Sequence, residues 1–126
     1  MGKRDYPEQR LQIAIFTYLR GLMEAQNYKK FIAFHPANGG HRSKAAGALF
    51  KAMGVIAGVA DFVFIFNGGK VVFVELKAGK GGQTDSQKWF EKVVTGLGFE
   101  YYLLAADDEN EGVNKIQEFL KEQGIK

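Results

Sequence analysis

The stretch from Asp61 to Lys77, DFVFIFNGGKVVFVELK, sets two apolar runs around Asn67-Gly68-Gly69. Runs of aromatic and β-branched residues joined by a short, glycine-containing turn predict a β-hairpin. Its strands fall near Ala60–Phe66 and Lys70–Lys77. With a three-residue turn Phe66 pairs with Lys70, and counting back sets Asp61 opposite Glu75. Side chains alternate faces along a strand. Asp61, Glu75 and Lys77 then share a face with Val63, Ile65, Val71 and Phe73, while Phe62, Phe64, Val72 and Val74 take the other. Apolar residues on both faces predict a central hairpin covered on both sides. A turn one residue longer or shorter would move Asp61 to the opposite face.

This register puts two acids at the end of a hydrophobic hairpin. Directly opposed residues bring their Cβ atoms to about 4.5–5.5 Å. Two carboxylates about 4 Å apart repel by roughly 4 kcal/mol at an effective dielectric of about 20. A divalent cation offsets that repulsion, because Mg²⁺ takes one or two carboxylates and fills its shell with water and phosphate oxygens. Lys77 is a partial alternative. A bare Glu-x-Lys at a strand end is more often an exposed ion pair worth little. The acid across the hairpin is what favours a site at Asp61, Glu75 and Lys77.

The remaining chain supplies the cover. Its 126 residues suit one domain with one core over residues 1–126. Pro7 to Gln26 predicts a first helix, with Leu11, Ile15, Phe16, Leu19, Leu22 and Met23 at helical spacing. Phe31 to Phe34 predicts a short strand, and HPANGG, from His35 to Gly40, a loop. Ser43 to Met53 predicts a second helix ended by Gly54. After the hairpin, Thr84 and Gln87 stand at capping-box spacing. The helix they open carries Trp89, Phe90, Val93, Val94 and Leu97, all expected to face inward. Phe99 to Ala105 predicts a further strand and Val113 to Lys121 a closing helix. The order is helix, strand, helix, hairpin, helix, strand, helix. That implies an α/β fold, a small mixed β-sheet flanked by helices.

Charge is unevenly spread. No acid lies between Glu24 and Asp61, a segment holding Lys29, Lys30, Arg42, Lys44, Lys51, His35 and His41. Acids gather near the C-terminus. A solvated surface and a polyanion-binding face both fit such a pattern. Asn38, Gly39, Gly40 and Arg42 read either as a plain turn or as a phosphate-contacting loop, since glycine permits close backbone approach. With no cysteine, a disulfide framework or a thiolate zinc site is excluded. No apolar run approaches a membrane span, and the first ten residues lack a signal-peptide core. The expectation is a soluble cytoplasmic protein.

Taken together, Gly58-Val59-Ala60-Asp61, Val74-Glu75-Leu76-Lys77, Gln87 with Trp89 soon after, and the upstream Asn38-x-Gly40 and Arg42 resemble the VRR-NUC nucleases of the PD-(D/E)xK superfamily. Ala60 stands where that family usually has proline, which supplies no ligand. The resemblance runs from Glu8 to about the last strand. It implies a restriction-endonuclease-like fold and metal-dependent phosphodiester hydrolysis. Asp61 and Glu75 would hold Mg²⁺ or Mn²⁺ with the Leu76 backbone carbonyl, and Glu8 would match an additional acid. Lys77 would position water or stabilise the charged phosphorane, and Gln87 would orient the water or the lysine. Without the family, Glu8 reads as an acid at a helix N-terminus and Gln87 as a capping residue. Asn38, Gly39, Gly40, Arg42, Lys44 and His35 would contact nucleic acid.

Stand-alone relatives of this kind resemble Holliday junction resolvases and act as homodimers in bacteria or phage-infected cells. The resemblance thus implies a homodimer acting on branched, four-way DNA. A flap, nick or duplex nuclease, an RNA-directed nuclease and a non-catalytic DNA-binding module are the alternatives.

Overall fold

In a computed structural model that describes residues 7–36 and 43–125, the hairpin forms in the expected register. Phe66 faces Lys70 and Phe62 faces Val74. Its strands are β2 (Phe62–Phe66) and β3 (Lys70–Ala78). Gly68 and Gly69 turn the chain at φ of 95° and 91°, a region open to glycine at little cost. Before the hairpin come α1 (Pro7–Ala25), β1 (Phe31–Phe34) and α2 (Lys44–Ala52). After it come α3 (Asp85–Gly96), β4 (Glu100–Ala106) and α4 (Glu109–Glu122). The sheet order is β1-β2-β3-β4. The first three strands are antiparallel to their neighbours, and β4 runs parallel to β3 after the α3 crossover. The expected mixed α/β fold is thereby realised, with four strands and four helices among the described residues.

The two sheet faces are unequal. On one, Phe62, Phe64, Phe66, Val72, Val74 and Leu76 meet α1 and α4 in a closed core. Leu11, Ile15, Leu19 and Met23 give α1 the buried stripe expected from their spacing. Gly112 lets α4 approach Leu11 closely, since a Cβ there would collide with the Leu11 side chain. On the opposite face α3 contributes Phe90 and Val94, which gather with Ala60, Phe73 and Tyr101. That cover is partial. Ile65 is 39% exposed and Leu103 43%. The expectation of full cover on both faces is therefore corrected. One crossover helix covers only part of that face, and α2 buries no residue.

Helix α3 departs from expectation for the same reason. Phe90 and Val94 are buried, but Trp89 is 52% exposed and Leu97 70%, and Val93 is exposed as well. A helix resting on one layer buries one stripe. Its apolar residues on the outer side find no second layer. Helix α4 starts about one turn before the expected Val113. Asp108 caps it by accepting from the Glu111 N–H, and Glu111 Oε1 accepts from the Asp107 N–H at 2.6 Å. The Asp-x-x-Glu spacing carries that start signal.

Candidate active site

Asp61 sits where the chain enters β2. Continuing the hairpin register by one residue sets it opposite Glu75, and the two carboxyls are in electrostatic contact. Asp61 Oδ2 accepts a 2.8 Å hydrogen bond from the Leu76 N–H, which ties the acid to the strand across from it. Leu76 sends its own side chain into the closed core, so Glu75 and Lys77 both face α3. Glu75 is only 1% exposed and Lys77 5%. The commoner reading of Glu-x-Lys as a solvent-exposed pair does not describe them.

One oxygen of Glu75 is engaged from two sides. Oε2 accepts a 2.8 Å hydrogen bond from Gln87 Nε2 and lies 3.8 Å from the Lys77 ammonium. The other, Oε1, is buried without a hydrogen-bond partner among the described residues. Such a group is costly to bury. Burial, then the charge of Asp61, push the Glu75 carboxyl up to about 8, against the opposing effect of Lys77. Burial likewise raises Asp61, opposed by the Leu76 N–H. Glu8 adds repulsion to both carboxyls.

Gln87 caps its helix as the spacing predicts, and its side-chain amide reaches Glu75. Its backbone N–H donates to Thr84 Oγ1 at 3.2 Å, and its Oε1 accepts from the Thr84 N–H at 2.9 Å. The capping box starts α3 and fixes the amide so that Nε2 points at Glu75. Glu8 lies in the first turn of α1, as a helix-start acid should, and its Oε2 faces the Ala78 N–H at 3.5 Å. It stands at the rim rather than within the buried pair. His35 Nδ1 lies 2.7 Å from the Asp61 carbonyl oxygen. The ring donates through Nδ1 and turns Nε2 outward. Lys44 is the exposed first residue of α2. Asn38, Gly39, Gly40 and Arg42 lie outside the described residues.

A cleft of about 190 Å³ opens beside Asp61, lined by His35, Gly58, Asp61, Thr84, Ser86 and Gln87 among others. Gly58 is required in its wall. Its φ is 88°, and a Cβ there would strike the Ser86 carbonyl. That contact seats the start of α3 against the approach to β2. Sequence reasoning missed a second polar group beside the site. Gln83 Nε2 donates to Glu91 Oε1 at 3.0 Å and to the Tyr101 hydroxyl at 3.2 Å. Burial pushes the Tyr101 hydroxyl up to about 12, with Glu75, Glu91 and Asp61 adding to the rise. Tyr101 pairs with Phe73 and so shares the Asp61 face. Strand alternation in β4 would have placed it there.

The donor set was tested against a divalent cation. Among the described residues no cluster of three or more His, Cys, Asp or Glu side chains forms a metal site. Two carboxyls do converge, one carrying a buried oxygen with no other partner. An all-oxygen pair that leaves most positions to water and phosphate suits Mg²⁺ or Mn²⁺. The residues present fit such an ion.

No protein-family model matches the sequence, and no curated protein matches it. A solved structure described as a VRR_NUC domain protein does match in three dimensions. The TM-score is 0.60 at 20% identity, and the match covers 94% of this chain and 92% of the other. The chain has the fold of a VRR_NUC domain protein. Within this VRR_NUC fold, Asp61, Glu75, Lys77 and Gln87 converge at the sheet end covered by α3. This fold agrees with the resemblance that the Gly58–Asp61 and Val74–Lys77 motifs carry.

Proposed function

We propose that the protein is a metal-dependent, structure-selective DNA endonuclease, acting as a homodimeric Holliday junction resolvase. One observation carries the reading: a buried Glu75 beside the half-buried Asp61, with an oxygen unpartnered among the described residues and a buried lysine alongside. Folding gains nothing from such a cluster unless a ligand completes it.

Asp61 and Glu75, with the Leu76 carbonyl, would hold Mg²⁺ or Mn²⁺, which when bound supplies an activated water and a polarised phosphoryl oxygen. The protein's own groups prepare for this. Gln87 and Lys77 both engage Glu75 Oε2, so Oε1 is left to face the cation. The Leu76 N–H holds Asp61 from below, and His35 holds its backbone carbonyl. These contacts fix both carboxyls before substrate arrives. Lys77 places an ammonium beside the pair, where it stabilises negative charge developing on the phosphate. The neighbouring acids favour that electrostatic role over proton transfer. Glu8 at the rim adds negative charge that strengthens cation capture. His35 Nε2 and Lys44 meet the phosphate backbone. Two symmetric cuts in a four-way junction need two such sites, which a homodimer provides.

The test is digestion of an end-labelled four-way junction and its matched linear duplex, with Mg²⁺ or EDTA and with Asp61→Asn as control. Paired, metal-dependent cuts in the junction, absent from the duplex and from the variant, are expected. Cutting of the duplex alone would retain the nuclease and remove the junction preference. Binding without cutting in either Mg²⁺ or Mn²⁺ would overturn the enzymatic reading.

A further inference from the structure

Trp89 is the only tryptophan in the chain, and it lies on the outer side of α3, half exposed. It lines a groove of about 690 Å³ between α2 and the start of α3. That volume is within the range of small-molecule pockets. The groove's other walls are of three kinds. Gly47, Gly54 and Ala57 make a low floor, Val55 and Ile56 add apolar surface, and Lys51 brings a cation. A flat aromatic ring, a low apolar floor and one cation suit a planar, apolar-faced group attached to an anion.

Two facts say which such group. The first is continuity with the catalytic cleft. Ser86 lines both the groove and the cleft above Asp61, and the next residue, Gln87, hydrogen-bonds Glu75. A strand with a phosphate over the carboxyl pair would carry its neighbouring nucleotides along this wall. The second is charge. Lys51 and Lys44 are exposed on α2, within the stretch from Glu24 to Asp61 that contains no acid, whereas the carboxyl pair lies beyond the shared wall. An anionic backbone therefore finds cations on the α2 side of the groove and, under the nuclease reading, a metal on the other.

We infer that this groove receives an unpaired nucleobase of the bound DNA strand, stacked on Trp89, with Lys51 against its backbone. The inference rests on the nuclease reading. It adds to it a reason for structure selectivity: a base can enter the groove only where the duplex is open, as at a junction, flap or frayed end. Stacking of this kind is indifferent to sequence, because every base has a π-face. Preference would then follow the shape of the DNA and not its bases.

Because no second indole is present, the emission of Trp89 reports the groove directly. The full chain in EDTA is titrated with a junction carrying a short unpaired stretch, and with the same junction made abasic along that stretch. Quenching by the intact strand and none by the abasic one is expected. The abasic strand and Trp89→Ala should each weaken binding by roughly tenfold or more, the loss of one base stack. Combined, they should lose little beyond either alone, because both remove the same contact. Trp89→Phe should restore most of the binding. Asp61→Asn should retain the quenching while losing any cutting, which separates this groove from the catalytic pair. Equal binding of both strands with unchanged emission would overturn the inference and leave the nuclease reading standing. Emission that changes with protein concentration alone would overturn it too, assigning the groove to a second copy of the chain. Failure to bind either strand would overturn both readings.

Discussion

Removing the charge of Glu75 should make the metal-free protein more stable, and the gain should grow with pH. Glu75 is 1% exposed and its carboxyl is pushed from 4.5 up to about 8, first by burial and then by Asp61. A group whose folded pKa lies above its unfolded one contributes stability that is fully present below the unfolded value. That contribution is lost as pH rises through the folded value. The window here runs from 4.5 to about 8. At about 1.4 kcal/mol per pH unit, the span is worth about 5 kcal/mol as a ceiling, with the offset from Lys77 already included. Above about pH 8 the metal-free fold must hold an ionised Glu75 beside Asp61. Glu75→Gln keeps the shape and removes that requirement. Urea unfolding in EDTA at intervals from pH 5 to 9 should show wild type losing several kcal/mol and Glu75→Gln a much flatter profile. The difference at pH 9 should shift Tm by about 10 °C or more. Adding Mg²⁺ near pH 8.5 should restore much of the wild-type loss, about 2.7 kcal/mol at a hundredfold excess over Kd, and do little for the variant. The depressed Glu100 carboxyl acts only near and below 4.5, outside this window. Parallel wild-type and Glu75→Gln profiles between pH 5 and 9 would refute the buried-pair account.

Gly58→Ala should cost about 3 kcal/mol or more, because it combines a positive φ with a collision against the Ser86 carbonyl; urea denaturation measures it, and a change below about 1 kcal/mol would mean that the α3 start is not seated there. Gln87→Ala removes half of the capping box and the Glu75 donor together. It should lose about 1 kcal/mol of stability and a larger share of nuclease activity, whereas Thr84→Ala should lose similar stability with activity mostly kept. Lys77→Arg should retain measurable cutting if the lysine acts through charge alone, and Lys77→Gln should not; a fully active Lys77→Gln would remove the lysine from the mechanism.

The hairpin was legible because its alternation and its turn fix one register, and that register alone brings Asp61 to Glu75. The α3 start was legible because Thr84 and Gln87 state it in their spacing. The depth of the site was not. Whether Glu-x-Lys is exposed or buried depends on what crosses above it, and that is a property of the α3 crossover between β3 and β4. Two residues carried two readings, a cap or an orienter of the water or the lysine for Gln87 and a helix-start acid or a site acid for Glu8. In the structure the helix-start role and a position beside the carboxyls coincide. A capping glutamine must be rigid to cap, and the same rigidity aims its second nitrogen at Glu75. A helix-start acid must sit at the end of α1, and that end lies beside Ala78 at the end of β3.

What local pattern could not supply was the identity of the neighbour. Trp89, Val93 and Leu97 carry helical spacing as clearly as Phe90 and Val94 do, and hydrophobicity was read as inwardness for all five. Periodicity shows which residues share a side of a helix, but a side becomes interior only when another layer meets it. Here the sheet meets one side, and α2 stands apart without burying any residue of its own. The same deficit leaves Ile65 and Leu103 exposed on the sheet and opens the groove beside Trp89. A fold that needed only stability would close that side with a further helix. Under the nuclease reading, leaving it open beside Asp61 and the buried Glu75 keeps the cleft accessible to a bound polymer. On that same nuclease reading, the exposed apolar residues and the costly acids are two consequences of one requirement, that the end of the sheet receive a strand.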